Sequence, residues 1–305
     1  MKKHVLITAL ALAVGLMLVP AVTSAPALAK TQYLTTSNNY FFKSGGTWEQ
    51  QWGTTSTYNK KNLLTKTVEK QFADEYMGTE STTTKTKYTY DKKGRTKTIK
   101  TYEGGKLTNK TKISYTKKTM TRKDYEGKKY VGKTVTKITS KKNVSKRYNA
   151  KGKKISETTI KFDKKGNLKS MVEKVGGKIV SKQKNTIKNG KIKTSTYWNY
   201  EDGKVTGKYT YKYTYKGKYR TEKSYDQAGN LNYASKTYTE KKTGHIIDVW
   251  HKSYNEGKLY DTTTYKTKKY KSGKLKGIVK QVTAYGGDGT AFGKTVYKVK
   301  AVKAK

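Results

Sequence analysis

Residues 208–216 read Lys-Tyr-Thr-Tyr-Lys-Tyr-Thr-Tyr-Lys, with tyrosine at every odd position and lysine or threonine at every even position. Because successive side chains of a β-strand point to opposite faces, this period of two predicts a strand with one aromatic and one cationic face. Residues 86–90 and 133–139 alternate similarly, and β-branched threonine favours strands. The stretch therefore predicts a β protein.

Two-residue turn signals separate such stretches and predict hairpins, because glycine and asparagine accept the positive φ that tight turns require. They are Gly104-Gly105, Gly176-Gly177, Asn189-Gly190, Asp202-Gly203, Glu256-Gly257 and Ser272-Gly273. We predict an all-β chain, a repetitive antiparallel β-meander of about sixteen short strands joined by Gly-rich hairpin turns. The pattern leaves open whether the sheet stays elongated, curls or closes.

The N-terminal part of the chain differs in composition. Residues 1–29 have a basic start, an apolar run from Val5 to Val22 and an Ala27-Leu28-Ala29 site, which together predict a signal peptide cleaved before Lys30. Residues 30–77 are richer in Phe and Trp and are predicted to cap the array, with a short helix possible over residues 65–77. Residues 78–305 form the predicted β-hairpin repeat array. No other apolar run is long enough to span a membrane.

Charge dominates the composition. The chain has 68 Lys and Arg against 21 Asp and Glu, and removing the signal peptide subtracts two lysines, so the exported chain carries 66 minus 21, or +45. With no Cys there is no disulfide framework. Leu, Ile, Val and Phe are scarce, but the 27 Tyr supply apolar area for a folded sheet.

One motif resembles a known family. Residues 88–95 read Tyr-Thr-Tyr-Asp-Lys-Lys-Gly-Arg, which resembles the tyrosine-aspartate repeat, Y-x-Y-D-x-x-G-R, of bacterial Rhs-type secreted proteins. Shorter copies begin at Tyr58, Tyr148, Phe162 and Tyr225. The Asp or Asn is expected to bond the backbone ahead of it and start a turn, and the Gly to supply positive φ. The candidate repeat and turn residues are Tyr90, Asp91, Gly94, Phe162, Asp163, Gly166, Tyr225, Asp226 and Gly229.

The chain is also similar to secreted proteins with MORN-like β repeats, a resemblance that implies sheet architecture and surface interaction without naming a ligand. Larger members of the Rhs-type family form a closed shell, and this chain is short compared with what such a shell requires. The resemblance leaves an antagonistic, toxin-related role as one alternative.

Catalytic signatures are weak, and we assign no catalytic, cofactor-binding or metal-binding residue. Beyond the predicted signal peptide the histidines are His245 and His251. On a regular strand they lie about 20 Å apart, too far to share a metal. Asp248 is expected on the opposite face of that strand, where it could orient neither imidazole. We therefore expect a protein that is not an enzyme.

The function that these features favour is polyanion binding. A lysine-rich face binds phosphate polymers through many weak contacts, and the cationic face of residues 208–216 offers Lys208, Lys212 and Lys216 as candidates. Outside the cell the expected partner is an anionic wall polymer such as teichoic acid. The protein is then retained on the wall non-covalently, and its copies are a second candidate partner through self-association. Carbohydrate binding is the alternative. Single-stranded nucleic acid is disfavoured because aromatic and basic residues are expected on opposite faces.

Overall fold

A computed structural model describes residues 31–73 and 80–303 of the chain. The predicted signal peptide lies outside the described residues. Within them, twenty β-strands form one antiparallel sheet, and one short 3-10 helix, η1 (Gly273–Leu275), is present. The predicted all-β antiparallel meander is therefore confirmed. No helix in the described ranges has the length and apolar character needed to cross a membrane.

The strands follow one another in chain order. They are β1 (Thr31–Ser44), β2 (Thr47–Tyr58), β3 (Leu64–Gln71), β4 (Thr82–Tyr90), β5 (Thr96–Glu103), β6 (Lys106–Tyr115), β7 (Thr119–Glu126), β8 (Lys129–Ile138), β9 (Lys142–Asn149), β10 (Lys154–Phe162), β11 (Leu168–Val175), β12 (Lys178–Lys188), β13 (Lys191–Glu201), β14 (Lys204–Lys216), β15 (Tyr219–Tyr225), β16 (Leu231–Thr239), β17 (Ile246–Asn255), β18 (Lys258–Lys269), β19 (Val279–Tyr285) and β20 (Ala291–Lys303).

The sheet closes into a barrel. Each strand pairs with its neighbours in sequence, and β20 pairs with β1 along a register that runs from Thr31 opposite Lys303 to Phe42 opposite Gly293. A Cβ on Gly293 would lie 2.8 Å from the Tyr40 hydroxyl, so glycine is what allows this ring to lie against β20 at the seam. Among the twenty described strands, closure leaves no unpaired sheet edge, which is where open sheets aggregate.

The predicted number of sixteen strands is wrong. Some turns contain no glycine and so lack the signal used to count them. Between β6 and β7 the Thr116 hydroxyl accepts a hydrogen bond from the Thr119 amide at 3.0 Å, and between β8 and β9 the Thr139 hydroxyl accepts one from the Lys142 amide at 2.9 Å. Side-chain hydroxyls thus replace glycine as the turn-forming element.

The N-terminal region also adds strands to the sheet. Residues 64–71 form β3 and not the helix suggested for residues 65–77, of which 74–77 lie outside the described residues. The β-branched Thr65, Thr67 and Val68 favour the strand, and β3 pairs with both β2 and β4. The described part of the predicted cap, residues 31–73, therefore contributes β1–β3 to the same barrel.

One face of the sheet is concave. His245, between β16 and β17, has its Nε2 2.6 Å from the Thr35 hydroxyl of β1 and stacks on Tyr297 of β20 at 4.4 Å. Since β18 and β19 lie between β17 and β20, side chains of separated strands meet across this face, as they do inside a curved sheet. Residues directly opposite each other on neighbouring strands share a face. The registers therefore show, strand by strand around the barrel, which residues face inward and which face outward.

Apolar packing is concentrated at one place in the barrel. Ile247, Val279 and Val282 are buried together, with Tyr238, Tyr265 and Tyr297 packed against them. Elsewhere single buried apolar residues alternate with buried polar ones such as Thr136, Ser195 and Ser235. Tyrosine supplies much of the remaining packing, and its hydroxyl often donates to a carbonyl of the preceding strand: Tyr58 to Thr35 (2.9 Å), Tyr115 to Thr96 (3.1 Å) and Tyr215 to Ile192 (3.0 Å).

Candidate functional site

A row of lysines crosses the outer face of four adjacent strands. Lys66 of β3 lies directly opposite Lys87 of β4, Lys87 opposite Lys100 of β5, and Lys100 opposite Lys110 of β6. Neighbouring strands are about 4.8 Å apart, so the four side chains leave the sheet in one closely spaced line. We call Lys66, Lys87, Lys100 and Lys110 the lysine ladder.

A second row continues the basic surface. Lys112 of β6 lies opposite Lys123 of β7, which lies opposite Lys133 of β8. Lys110 and Lys112 are two residues apart on one strand and therefore share a face. The ladder and this second row form a continuous cationic surface over β3–β8.

Acidic side chains do not neutralise the ladder. Like charges directly opposite each other on a sheet are destabilising. Among the described residues, lysine ion pairs involve only Lys146, Lys154 and Lys178. The ladder therefore holds an electrostatic cost that an external polyanion would remove.

Most strand carboxylates lie on the inner face. The registers place them opposite residues of the concave side, as with Glu69 opposite Thr84 and Glu173 opposite Ser181. Asp124 accepts a hydrogen bond from Thr111 at 2.8 Å and pairs with Arg122 at 2.7 Å on the same face. Further inner-face carboxylates are Glu103, Glu222, Asp248 and Asp261. The barrel thus separates acids inside from lysines outside.

Aromatic rings accompany the lysines on the outer face. The Lys87 ammonium lies 5.5 Å from the Tyr102 ring centre, and Lys110 and Lys112 lie 5.2 and 5.7 Å from Tyr125. These are cation–π distances. The expectation that aromatic and basic residues occupy opposite faces therefore fails on these strands, although it holds on β14. The face that carries the tyrosines differs from strand to strand, so the alternation on β14 does not apply to the other strands.

The sequence-predicted lysines lie on the outer face of β14. Lys208 is opposite Trp198, Lys212 is opposite Lys223, and Lys216 is opposite Tyr219, while the tyrosines between them face inward. All three lysines are exposed, and the Lys212 ammonium lies 4.6 Å from the Tyr225 ring. They belong to the cationic face but not to a row of four opposed lysines. The sequence alone does not reveal the ladder, because the ladder depends on the register between neighbouring strands.

The predicted repeat residues form turns with one shared geometry. Asp91 accepts backbone hydrogen bonds from Lys93 and Arg95, both 2.9 Å, on one carboxylate oxygen. Asp163 and Asp226 make the corresponding bonds to residues 167 and 230 at 2.8 Å. In each, the glycine three residues later, Gly94, Gly166 or Gly229, donates its N–H to the carbonyl of the aspartate and has positive φ, 77°, 81° and 91°.

Two further copies show which parts of this turn are essential. Asn149 accepts from the Lys153 amide at 3.0 Å, and Asn59 accepts from the amides of Lys61 and Leu63. In the second of these Asn62 occupies the glycine position with φ 62°. The common requirement is therefore a short side-chain oxygen at the first position and a left-handed residue at the fourth.

Hydrogen bonding stabilises the charged form of two turn carboxylates. The Arg95 amide bound to Asp91 lowers the pKa of that carboxyl, and the Asn167 side chain does the same for Asp163. The motif's aromatic residue has no single role. Tyr90 donates to the Leu64 carbonyl at 2.5 Å, Phe162 has no hydroxyl, and Tyr225 lies beneath Lys212 on the outer face.

The prediction for Asp248 is wrong. A β-bulge between Asp248 and Trp250 leaves Val249 unpaired, so Asp248 turns to the same inner face as His251. The carboxylate lies 3.0 Å from Nε2 of His251, and the Tyr265 hydroxyl lies 3.1 Å from Nδ1. Both ring nitrogens thus have a hydrogen-bond partner, and the two contacts hold the imidazole in one orientation on the inner face.

His245 is placed separately. It contacts Thr35 and Tyr297, and burial lowers its pKa. Over residues 31–73 and 80–303 no three His, Asp or Glu side chains form a group suited to a metal ion.

Comparisons with known proteins find likeness only in structure. No protein-family model matches the chain, and no curated protein matches it significantly in sequence. A porin-like protein from Bacteroides uniformis is 12% identical, with a TM-score of 0.40, covering 88% of this chain and 98% of that one. The TcdB2-TccC3-TEV structure is 11% identical, with a TM-score of 0.28, covering 82% and 16%. The Photorhabdus luminescens Tc holotoxin pore is 9% identical, with a TM-score of 0.18, covering 84% and 18%.

This chain spans less than a fifth of the length of the last two chains. At such TM-scores the likenesses carry no argument about family or function, and the resemblance to the tyrosine-aspartate repeat stays at the level of its motifs. Fold and surface together define a class, a closed antiparallel β-barrel with a lysine-rich outer face.

Proposed function

We propose that this chain is a secreted, non-enzymatic binding protein of the cell envelope, held on anionic wall polymers by charge. The lysine ladder carries the proposal. Four opposed lysines without acidic partners destabilise the sheet on which they stand. A polymer that lays phosphates along them removes this repulsion and releases its counterions, two favourable effects that act together.

Teichoic acid is the partner that this chemistry favours outside the cell. The surface presents ammonium groups in rows, which suits a flexible phosphate chain better than a single small anion. Tyr102 and Tyr125 beside the lysines add apolar area for the carbon groups that link the phosphates. The secreted location rests on the predicted signal peptide.

The proposal predicts how the protein distributes between wall and supernatant. The purified protein should sediment with isolated cell walls, and the bound fraction should fall steeply as salt is added. Walls stripped of teichoic acid should retain much less of it. Binding to intact walls that neither falls as salt is added nor decreases when teichoic acid is removed would contradict retention by charge.

A further inference from the structure

The inner face of the barrel contains a cavity unlike the lysine surface. It has a volume of about 430 Å³ and lies across β13, β14 and β15, lined by Tyr197, Asn199, Tyr209, Tyr211, Tyr213 and Glu222. This volume falls within the range of small-ligand pockets, about 300–1,000 Å³. From the geometry of its walls we propose that this cavity binds a neutral oligosaccharide through stacking on its tyrosines.

The rings are arranged to receive a flat apolar surface. Tyr197 and Tyr211 meet edge to face, with ring centres 5.5 Å apart and planes at 83°, and so form a corner. Tyr209 lies opposite Tyr197 and is 42% exposed, which leaves its ring available to a ligand. The C–H face of a pyranose is the apolar surface that such rings stack on, while its hydroxyls seek polar partners.

Polar groups in the cavity lining match those hydroxyls. Asn199 is exposed, and it faces Gly207, whose missing side chain leaves room: a Cβ there would lie 3.4 Å from both the Asn199 amide nitrogen and the Tyr209 ring. Tyrosine hydroxyls are protonated at neutral pH, and burial raises the pKa of Tyr197 and Tyr213 further. Phenol, amide and carboxylate together supply donors and acceptors on several sides.

The one charged residue that lines the cavity has an opposite charge beside it. Its one carboxylate, Glu222, lies 3.5 Å from the guanidinium of Arg220, whose charge offsets it. Arg220 also lies 5.6 Å from the Tyr213 ring centre. A compensated pair gives neither an anion nor a cation a strong advantage, so the cavity favours an uncharged ligand.

A buried polar network supports the wall beside the cavity. Gln183 donates to Asn185 at 3.1 Å and to Ser195 at 3.3 Å, and Asn185 donates to the Leu168 carbonyl at 2.8 Å. Gln183 is opposite Tyr197, and Ser195 is opposite Tyr211. Satisfied buried networks hold neighbouring side chains in one arrangement, so the tyrosine corner exists before a ligand arrives.

Calorimetric titration with cellotetraose, maltotetraose and the N-acetylglucosamine tetramer tests the proposal on the whole protein. We expect at least one to bind, with an affinity that does not change between 0.1 and 0.5 M NaCl, although the Debye length falls from about 10 Å to about 4 Å. Tyr209→Ala should weaken that binding about tenfold. Tyr260→Ala, at a position 71% exposed on β18, is the control and should bind as the wild type does.

Three results would overturn the proposal: none of the three sugars binds, the Tyr209→Ala protein binds as well as the wild type, or binding falls with salt as polyanion binding does. Circular dichroism of each variant checks the fold. If Tyr209→Ala unfolds the barrel, Asn199→Ala takes its place, since an exposed amide can be removed without opening the core. The outcome is independent of wall retention by the lysine ladder, because that retention is salt-sensitive and uses the other face.

Discussion

Lys87 lies directly opposite Lys100 across β4 and β5, and both point away from the barrel. Two lysines in this position repel each other, and each has another lysine on its far side, Lys66 or Lys110. Sheets usually place opposite charges or neutral residues in such pairs. The ladder therefore lowers the stability of the sheet and at the same time forms a line of positive charge, which is what a polyanion-binding surface requires.

Removing a central lysine should stabilise the free protein. We expect Lys100→Gln to raise the free energy of unfolding by roughly 0.2–1 kcal/mol at low salt, because two like-charge contacts disappear. The gain should vanish in 1 M salt, where the Debye length is about 3 Å. Urea denaturation at both salt concentrations measures it. Lys184→Gln is the control, since Lys184 lies opposite Ser170 and Thr196. Equal effects of the two changes would argue against the ladder.

The left-handed position of the repeated turn should tolerate asparagine but not alanine. Gly94 has φ 77°, and Asn62 holds the corresponding position in another copy with φ 62°. Gly94→Ala should cost about 1–2 kcal/mol, because a Cβ disfavours this conformation. Gly94→Asn should lose much less, since asparagine can hydrogen-bond locally there. Chemical denaturation of both variants decides the point, and equal losses would mean that φ is not the reason for glycine.

Acid should weaken the turns through their aspartates. The folded-state pKa values of Asp91 and Asp163 lie below those of unfolded aspartate, so their contribution is present above the unfolded value near pH 4 and is lost as pH falls through the folded values. A protein carrying both Asp91→Asn and Asp163→Asn should lose less stability than the wild type between pH 5 and pH 2. Thermal unfolding across that range measures the difference. Parallel curves would show that other groups control acid denaturation.

Alkali should act on the interior through Tyr265. Burial raises the pKa of Tyr265 to about 12. An unfolded tyrosine ionises near pH 10, so the unfolded chain releases a proton that the folded one keeps, and stability falls as pH rises from about 10 to 12. Tyr265→Phe should make this fall shallower, although it also removes the contact with His251. Tyr260→Phe, at an exposed position, should leave the fall of stability with pH unchanged. Denaturation at pH 9 to 11.5 compares them, and identical pH profiles would contradict a buried Tyr265.

Local chemistry was predictable from the sequence, whereas register was not. Alternation over residues 208–216 correctly predicts inward tyrosines and outward lysines on β14. The turn at Asp91 also follows from its own residues. By contrast, the inward turn of Asp248 depends on a single unpaired residue, Val249, that no period reveals. The lysine ladder and barrel closure require knowledge of which strands pair and how far each is shifted.

The most direct test of the central claim compares two variants that have lost equal charge. In the ladder variant, the four ladder lysines are replaced by Gln. In the control variant, Gln replaces four outer-face lysines that lie opposite no other lysine, namely Lys184, Lys236, Lys252 and Lys298. Binding to purified teichoic acid is measured by titration over a salt series. We expect the ladder variant to bind much more weakly and with a shallower salt slope, by about 0.7 per lysine engaged, while the control stays close to the wild type. Equal losses in both variants would show that overall charge, and not the ladder, holds the polymer.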